Sequence, residues 1–152
     1  MIPEWLIITF ISMLPWIELR GGIPFAILEY HWQWWQALPI SIVGNMVPVP
    51  FILLLLSIVE KILRKYPVFD HSLDKLFEKT RKKASSKIKK YEELALILFV
   101  AIPLPFTGAW TASLIAYLFD LDIKKSILTI FLGVVIAGVI VTILTITGKM
   151  FL

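Results

Sequence analysis

The sequence predicts an all-α integral membrane protein. It is expected to be an inverted repeat of a re-entrant helical hairpin plus a transmembrane helix, with a cytoplasmic amphipathic helix between the repeats. Three observations carry that expectation. Of the 152 residues, 59% are hydrophobic and 17% charged, and the mean hydropathy is +0.85, far more apolar than a soluble domain. The nine prolines and seven glycines fall mostly inside the apolar blocks rather than between them, so helices are interrupted at membrane depth, where irregular backbone needs shielding by protein or water. The blocks of the first half also recur in the same order in the second, with Pro15 and Pro103 offset by 88 and Gly44 and Gly133 by 89, as in a duplicated transporter fold.

The first repeat covers residues 1–66. Its hairpin, 3–30, has an apolar arm over 3–14, an interruption from Pro15 to Gly22, and a resumed arm over 23–30 that carries Pro24. At ~1.5 Å per residue neither arm crosses a ~30 Å hydrocarbon core. The first arm runs straight on from Met1-Ile2-Pro3-Glu4 without the basic start of a secretory signal, and is expected to be retained. "EYHWQWWQAL", 29–38, has no Lys or Arg and suits an outer interfacial belt. The transmembrane helix, 37–64, is long enough to span despite Pro39, Pro48 and Pro50.

Residues 67–91 form the expected linker helix, starting near Asp70 or Ser72. Leu73, Leu76, Phe77, Ala84, Ile88 and Tyr91 lie roughly on one side and basic residues on the other. It reads either as an interfacial helix held to anionic lipid or as a solvated linker. The second repeat, 92–152, has its hairpin at 92–119, with arms 94–102 and 111–119 around "PLPFTGAW", and its transmembrane helix at 123–147.

Charge bears on topology. Eleven of the 15 Lys and Arg residues lie between Lys61 and Lys90. If each broken segment crosses the bilayer there are four spans, and Lys124 and Lys125 face away from that loop. If each is a re-entrant hairpin there are two spans, and both lysines join it. The positive-inside rule prefers hairpins, with the basic loop cytoplasmic, both termini outside and the two broken tips near the midplane of the cell membrane. The same clustering makes the net charge of +4 a membrane-side feature rather than a nucleic-acid footprint.

The residues that carry chemistry sit in the breaks. An ionised side chain at bilayer depth costs roughly 2.5–3.5 kcal/mol on insertion scales, so Glu18 and Arg20 need each other, water or a ligand. Gly21 and Gly22 are expected to free the backbone for a second short helix whose N-terminus faces the break. Arginine beside such an N-terminus suits a phosphate or carboxylate. Thr107 and Gly108 offer the same from the second break, with the Thr107 hydroxyl expected to cap the following arm. Substrate binding is therefore assigned to Arg20, Gly21, Gly22, Thr107 and Gly108, proton coupling to Glu18, and the hairpin breaks to Pro15, Pro24, Pro103 and Pro105. The competing reading is an ion pair that only holds the turn. Asn45 is expected at a helix–helix contact and Trp110 in a gap between helices.

There is no cysteine, and His31 and His71 stand far apart, so no metal or other cofactor is expected. Neither HExxH, GxSxG nor a phosphate loop occurs, and no enzymatic activity is expected.

"PWIELRGGIPFAI" and "IPLPFTGAWTASLIAYLF" resemble the two signature stretches of the prokaryotic small multidrug export protein family, a distant relative of the DedA/VTT-domain membrane proteins. The resemblance implies the inverted repeat of hairpin plus helix and, through the DedA-like relatives, lipid movement or scrambling and proton-dependent transport. The second break has no counterpart of Arg20. These readings converge on a proton-linked transporter or flippase of a small amphipathic or phosphate-bearing substrate, in contact with membrane lipids. Two spans form a thin wall around a cavity, so a homo-oligomer is expected, most simply a dimer. The alternatives are a lipid-organising scaffold using the basic helix, and a small multidrug exporter.

Overall fold

The computed structural model describes residues 2–63, 86–104 and 107–150. Among these residues the chain forms seven helices and no strand. α1 (Glu4–Met13) has an acidic residue in its first turn, where the helix dipole favours it. Trp32 Nε1 donates to Glu4 Oε2 at 2.9 Å, tying the aromatic link to this end. Pro15 ends the helix, because the residue before a proline is driven out of the helical region. Leu14 accordingly lies at φ −69, ψ 135.

α2 (Glu18–Leu28) follows immediately. This corrects the predicted break: Arg20, Gly21 and Gly22 are helical, Pro24 lies inside α2, and the irregular backbone is confined to residues 14–17. Pro24 lies in the second turn, where it lacks the N–H that would bond the Arg20 carbonyl and its ring crowds that carbonyl. Gly22 serves close packing, since a Cβ there would press into Ser12 Oγ and Ser41 Oγ, and one on Gly21 would strike the Ile17 side chain. Glycine in α2 therefore admits neighbours rather than a turn.

α3 (Trp34–Met46) opens on a capping box between Gln33 and Gln36. Helical structure thus starts at Trp34, three residues before the predicted span. α3 passes through Val47 into α4 (Pro48–Leu63). Pro48 and Pro50 supply no N–H to the ladder, yet Val47 keeps helical geometry and donates to the Val43 carbonyl at 3.0 Å, so α3 and α4 run on as the single span expected. α5 (Ser86–Ala101) is one helix, so residues 86–91, assigned to the linker from sequence, continue into the arm. The rest of the predicted 67–91 helix lies outside the described residues, as does Pro105. α6 (Ala109–Leu118) begins two residues before its predicted start and takes in Trp110. Asp122 caps α7 (Ile123–Met150), its Oδ1 accepting from the Lys125 N–H at 3.0 Å.

Two helical stretches, Trp34–Ile62 and Ile123–Gly148, are long and apolar enough to cross a membrane. α1 and α2 pack on each other and on α3, α5 packs on α7, α2 and α3 also meet α7, and α6 meets α4 and α7. Two glycines allow the closest approaches. A Cβ on Gly44 would collide with the Thr9 carbonyl of α1, and one on Gly133 with the Ile97 carbonyl and the Val100 side chain of α5. The core is aliphatic, built on Ile8, Leu19, Ile23, Val49, Leu53, Val100, Ile130 and Val134. Large side chains also cover the outside: Phe10, Phe51, Leu55, Leu128 and Leu144 are each more than half exposed. An apolar exterior this extensive is stable against lipid, not water.

Candidate functional site

Pro15 in the first break and Pro103 in the second both lie outside helices, and the two breaks meet. Glu18 stands at the junction with φ +52, a left-handed conformation that costs a non-glycine residue of order 1–3 kcal/mol and persists only where its surroundings hold it. They do hold it: the residue is 4% exposed, its Oε1 accepts from the Trp110 backbone N–H at 3.4 Å, and Arg20 Nη2 lies 3.5 Å from its Oε2. The carboxylate fills the space beside Gly108, where a Cβ would overlap it. A carboxylate against the first N–H groups of α6 is in the favourable field of that helix.

Arg20 reaches across the same junction. Its Nη1 donates to the Leu104 carbonyl, and its Nη2 lies 3.4 Å from Thr107 Oγ1. Thr107 does not cap α6 as expected. Gly108 is the N-cap residue, and the Thr107 hydroxyl instead faces back to the Ile102 and Leu104 carbonyls, at 2.7 and 2.8 Å, while accepting from the Leu104 N–H at 3.2 Å. Two residues that sequence reasoning assigned to substrate binding therefore have internal duties. Thr107 closes the second break upon itself, and Gly108 makes room for Glu18. Trp110 fixes the junction from the other side, its Nε1 donating to the Met13 carbonyl at 2.9 Å.

Arg20 has five N–H donors, and the contacts to Leu104, Thr107 and Glu18 engage three of them. Arg20 borders a cavity of about 330 Å³ whose other walls are Pro24 and Leu28 of α2, Pro103, and Val141, Leu144, Thr145 and Gly148 of α7. That volume lies at the lower end of the range for small-molecule sites. Gly21 and Gly22 are not among its lining residues.

A second feature was anticipated from sequence only at Asn45. Ser12, Ser41 and Asn45 are almost wholly buried, and Ser12 Oγ, Ser41 Oγ and Asn45 Oδ1 have no hydrogen-bond partner among the described residues. Ser12 and Ser41 flank Gly22, and Gly44, beside Asn45, is pressed to Ser12. The signal was present as Ser41 and Asn45 four residues apart on an otherwise apolar helix, but only the fold adds Ser12 to them. No group of three or more His, Cys, Asp or Glu residues suited to a metal occurs among the described residues.

No curated protein and no solved structure matches the chain. Residues 18–140 match the model of the family described as "Putative small multi-drug export protein". The match begins at Glu18, directly after the first break, takes in the second break, and ends within α7. On that match, which covers most of its length, the chain belongs to the small multi-drug export protein family.

Proposed function

We propose that this membrane protein is a small transporter or flippase for an anionic, amphipathic substrate, bound at Arg20 where the two breaks meet. The observation that carries the reading is the cavity of about 330 Å³, in which Arg20 is the one charged residue of an otherwise largely apolar lining. Such a pocket suits a phosphate or carboxylate group attached to a hydrocarbon body. Glu18 competes with that anion for Arg20, so substrate entry and proton binding at Glu18 are linked: a protonated Glu18 releases the guanidinium to the substrate.

The architecture that belongs to this reading is a pair of inversely oriented re-entrant hairpins, α1–α2 and α5–α6, each followed by a span. The cross-packing supports it. α1 lies on α3 as α5 lies on α7, and α2 meets α7 as α6 meets α4. Gly44 and Gly133 press upon Thr9 and Ile97, positions 88 apart in the two first arms. Both termini then face outside, with the basic loop 61–90 cytoplasmic. Rocking one repeat against the other alternates access. A homodimer in contact with lipid supplies the remaining wall, and the kinship to DedA/VTT proteins belongs to the same reading. The family's description favours a second reading, drug export through the same cavity.

The test is reconstitution in liposomes with an imposed pH gradient. Native protein, Glu18→Gln and Arg20→Ala are compared for movement of a fluorescent phosphatidic acid and of ethidium. The proposal expects the anion to move with the native protein and at least tenfold more slowly with either variant. Faster ethidium movement selects the drug reading, and equal rates for all three proteins reject the site. Absence of transport by all three proteins, with cellular function kept in Glu18→Gln and abolished on neutralising Lys82, Lys83, Lys89 and Lys90, would instead identify a non-transporting, lipid-organising scaffold. Labels on the N-terminus and on the 61–90 loop should report opposite faces of the membrane, and a common face would reject the hairpins.

A further inference from the structure

The structure holds a second cavity, remote in character from the first, between α5 and α6. It measures about 190 Å³ and is lined by Glu92, Ala95, Leu96 and Phe99 from one face of α5, by Ile115 on α6, and by Phe119 and Leu121 just beyond it. The walls are apolar except at Glu92, whose Oε2 is buried and has no hydrogen-bond partner among the described residues. Its neighbour Glu93 is differently placed: Glu93 Oε1 lies 3.6 Å from Lys125 Nζ, and Glu93 does not line the cavity.

We infer that this cavity is a binding site for a small organic cation, a compact quaternary or tertiary ammonium carrying an apolar group. A buried carboxylate oxygen without a partner is costly, and a cation that brings its own apolar surface relieves that cost while filling the space. The phenyl rings of Phe99 and Phe119 add faces that attract an ammonium carbon shell, as in aromatic cages. The volume limits the occupant. About 190 Å³ falls below the ~300 Å³ at which drug-sized sites begin, so the cavity takes one ring and one ammonium group but not a polycyclic dye. The relief of an unpartnered carboxylate oxygen selects charge, and the lining selects a hydrocarbon surface around it. Neither a hydrated metal ion nor a neutral hydrocarbon satisfies both. The site shares no lining residue with the Arg20 cavity and stands whether or not that one transports an anion.

The test uses the full chain in detergent and two isosteric probes, benzyltrimethylammonium and neutral neopentylbenzene, with binding read by calorimetry and by shift of the unfolding temperature. The expected result is saturable binding of the ammonium, at least tenfold tighter than the hydrocarbon. That preference should disappear in Glu92→Gln, persist in Glu93→Gln, and persist in Arg20→Ala. Equal affinity of the native protein for both probes would overturn the inference without any variant, as would unchanged ammonium binding in folded Glu92→Gln. Loss of ammonium preference in Glu93→Gln would also overturn it, by showing that general negative charge rather than this cavity is responsible. Failure of anion transport in liposomes leaves these outcomes unaffected.

Discussion

Replacing Gly108 by alanine tests the junction most sharply, because the backbone itself has no objection. Gly108 lies at φ −104, ψ −167, extended geometry that alanine adopts freely, so any penalty comes from the added methyl group alone. That methyl would occupy the position of the Glu18 carboxylate, overlapping its carbon and both oxygens. The carboxylate is 4% exposed as part of its residue and cannot swing into water without leaving the junction. Displacing it separates it from Arg20 and from the Trp110 N–H, and breaking a buried charge pair costs about 3–5 kcal/mol. The assay is a double-mutant cycle on thermal or denaturant unfolding in detergent, with native protein, Gly108→Ala, Glu18→Ala and the double variant. Gly108→Ala is expected to cost about 3–5 kcal/mol in the native background and under about 1 kcal/mol once Glu18 is gone, a coupling well above the ~0.5 kcal/mol of independent sites. The same cost in both backgrounds, or no cost in either, would refute the placement of the carboxylate beside Gly108.

Three further outcomes follow from the packing. Gly44→Ala and Gly133→Ala should each destabilise by about 1–3 kcal/mol, the range for overpacking, because the new methyl meets a helix carbonyl, of Thr9 or Ile97, rather than a flexible side-chain end. Unchanged unfolding temperatures would place these helices farther apart than described. Trp110→Phe removes the donor to the Met13 carbonyl but keeps an aromatic ring, and should cost about 1–3 kcal/mol with an acceptor left unpaired. Its unfolding midpoint matching that of the native protein would show that bond to be dispensable. Lys125→Ala should change stability by no more than about 1 kcal/mol, since its contact with Glu93 is solvent-exposed on the lysine side. A larger loss in the same unfolding assay would mean that the pair is shielded.

Much of the molecule follows from local sequence. A run of apolar residues either is or is not long enough to cross lipid, and the Trp34–Ile62 and Ile123–Gly148 stretches declare themselves by length and composition. Pro15 ends α1 by a clash with its own preceding residue, and Pro48 and Pro50 withhold two N–H donors from a span that continues through them. These effects act within a few residues and are legible without a fold. So was the partnership of Glu18 with Arg20, two residues apart and both costly alone in an apolar setting.

What the sequence misassigned were the parts whose role depends on a distant neighbour. Gly21 and Gly22 look like a hinge in a one-dimensional reading, yet Ser12 and Ser41, from two other helices, crowd Gly22 and make it a packing surface. Thr107 has the residue type of a helix cap, but the carbonyls of Ile102 and Leu104 claim its hydroxyl. Gly108 is explained only by a carboxylate 90 positions earlier in the chain. Hydrophobic length and proline sterics are properties of a segment and can be read along it. Which polar group satisfies which is decided when helices dock, because at membrane depth there is little water to stand in for an absent partner and each group is left with the neighbour that packing provides.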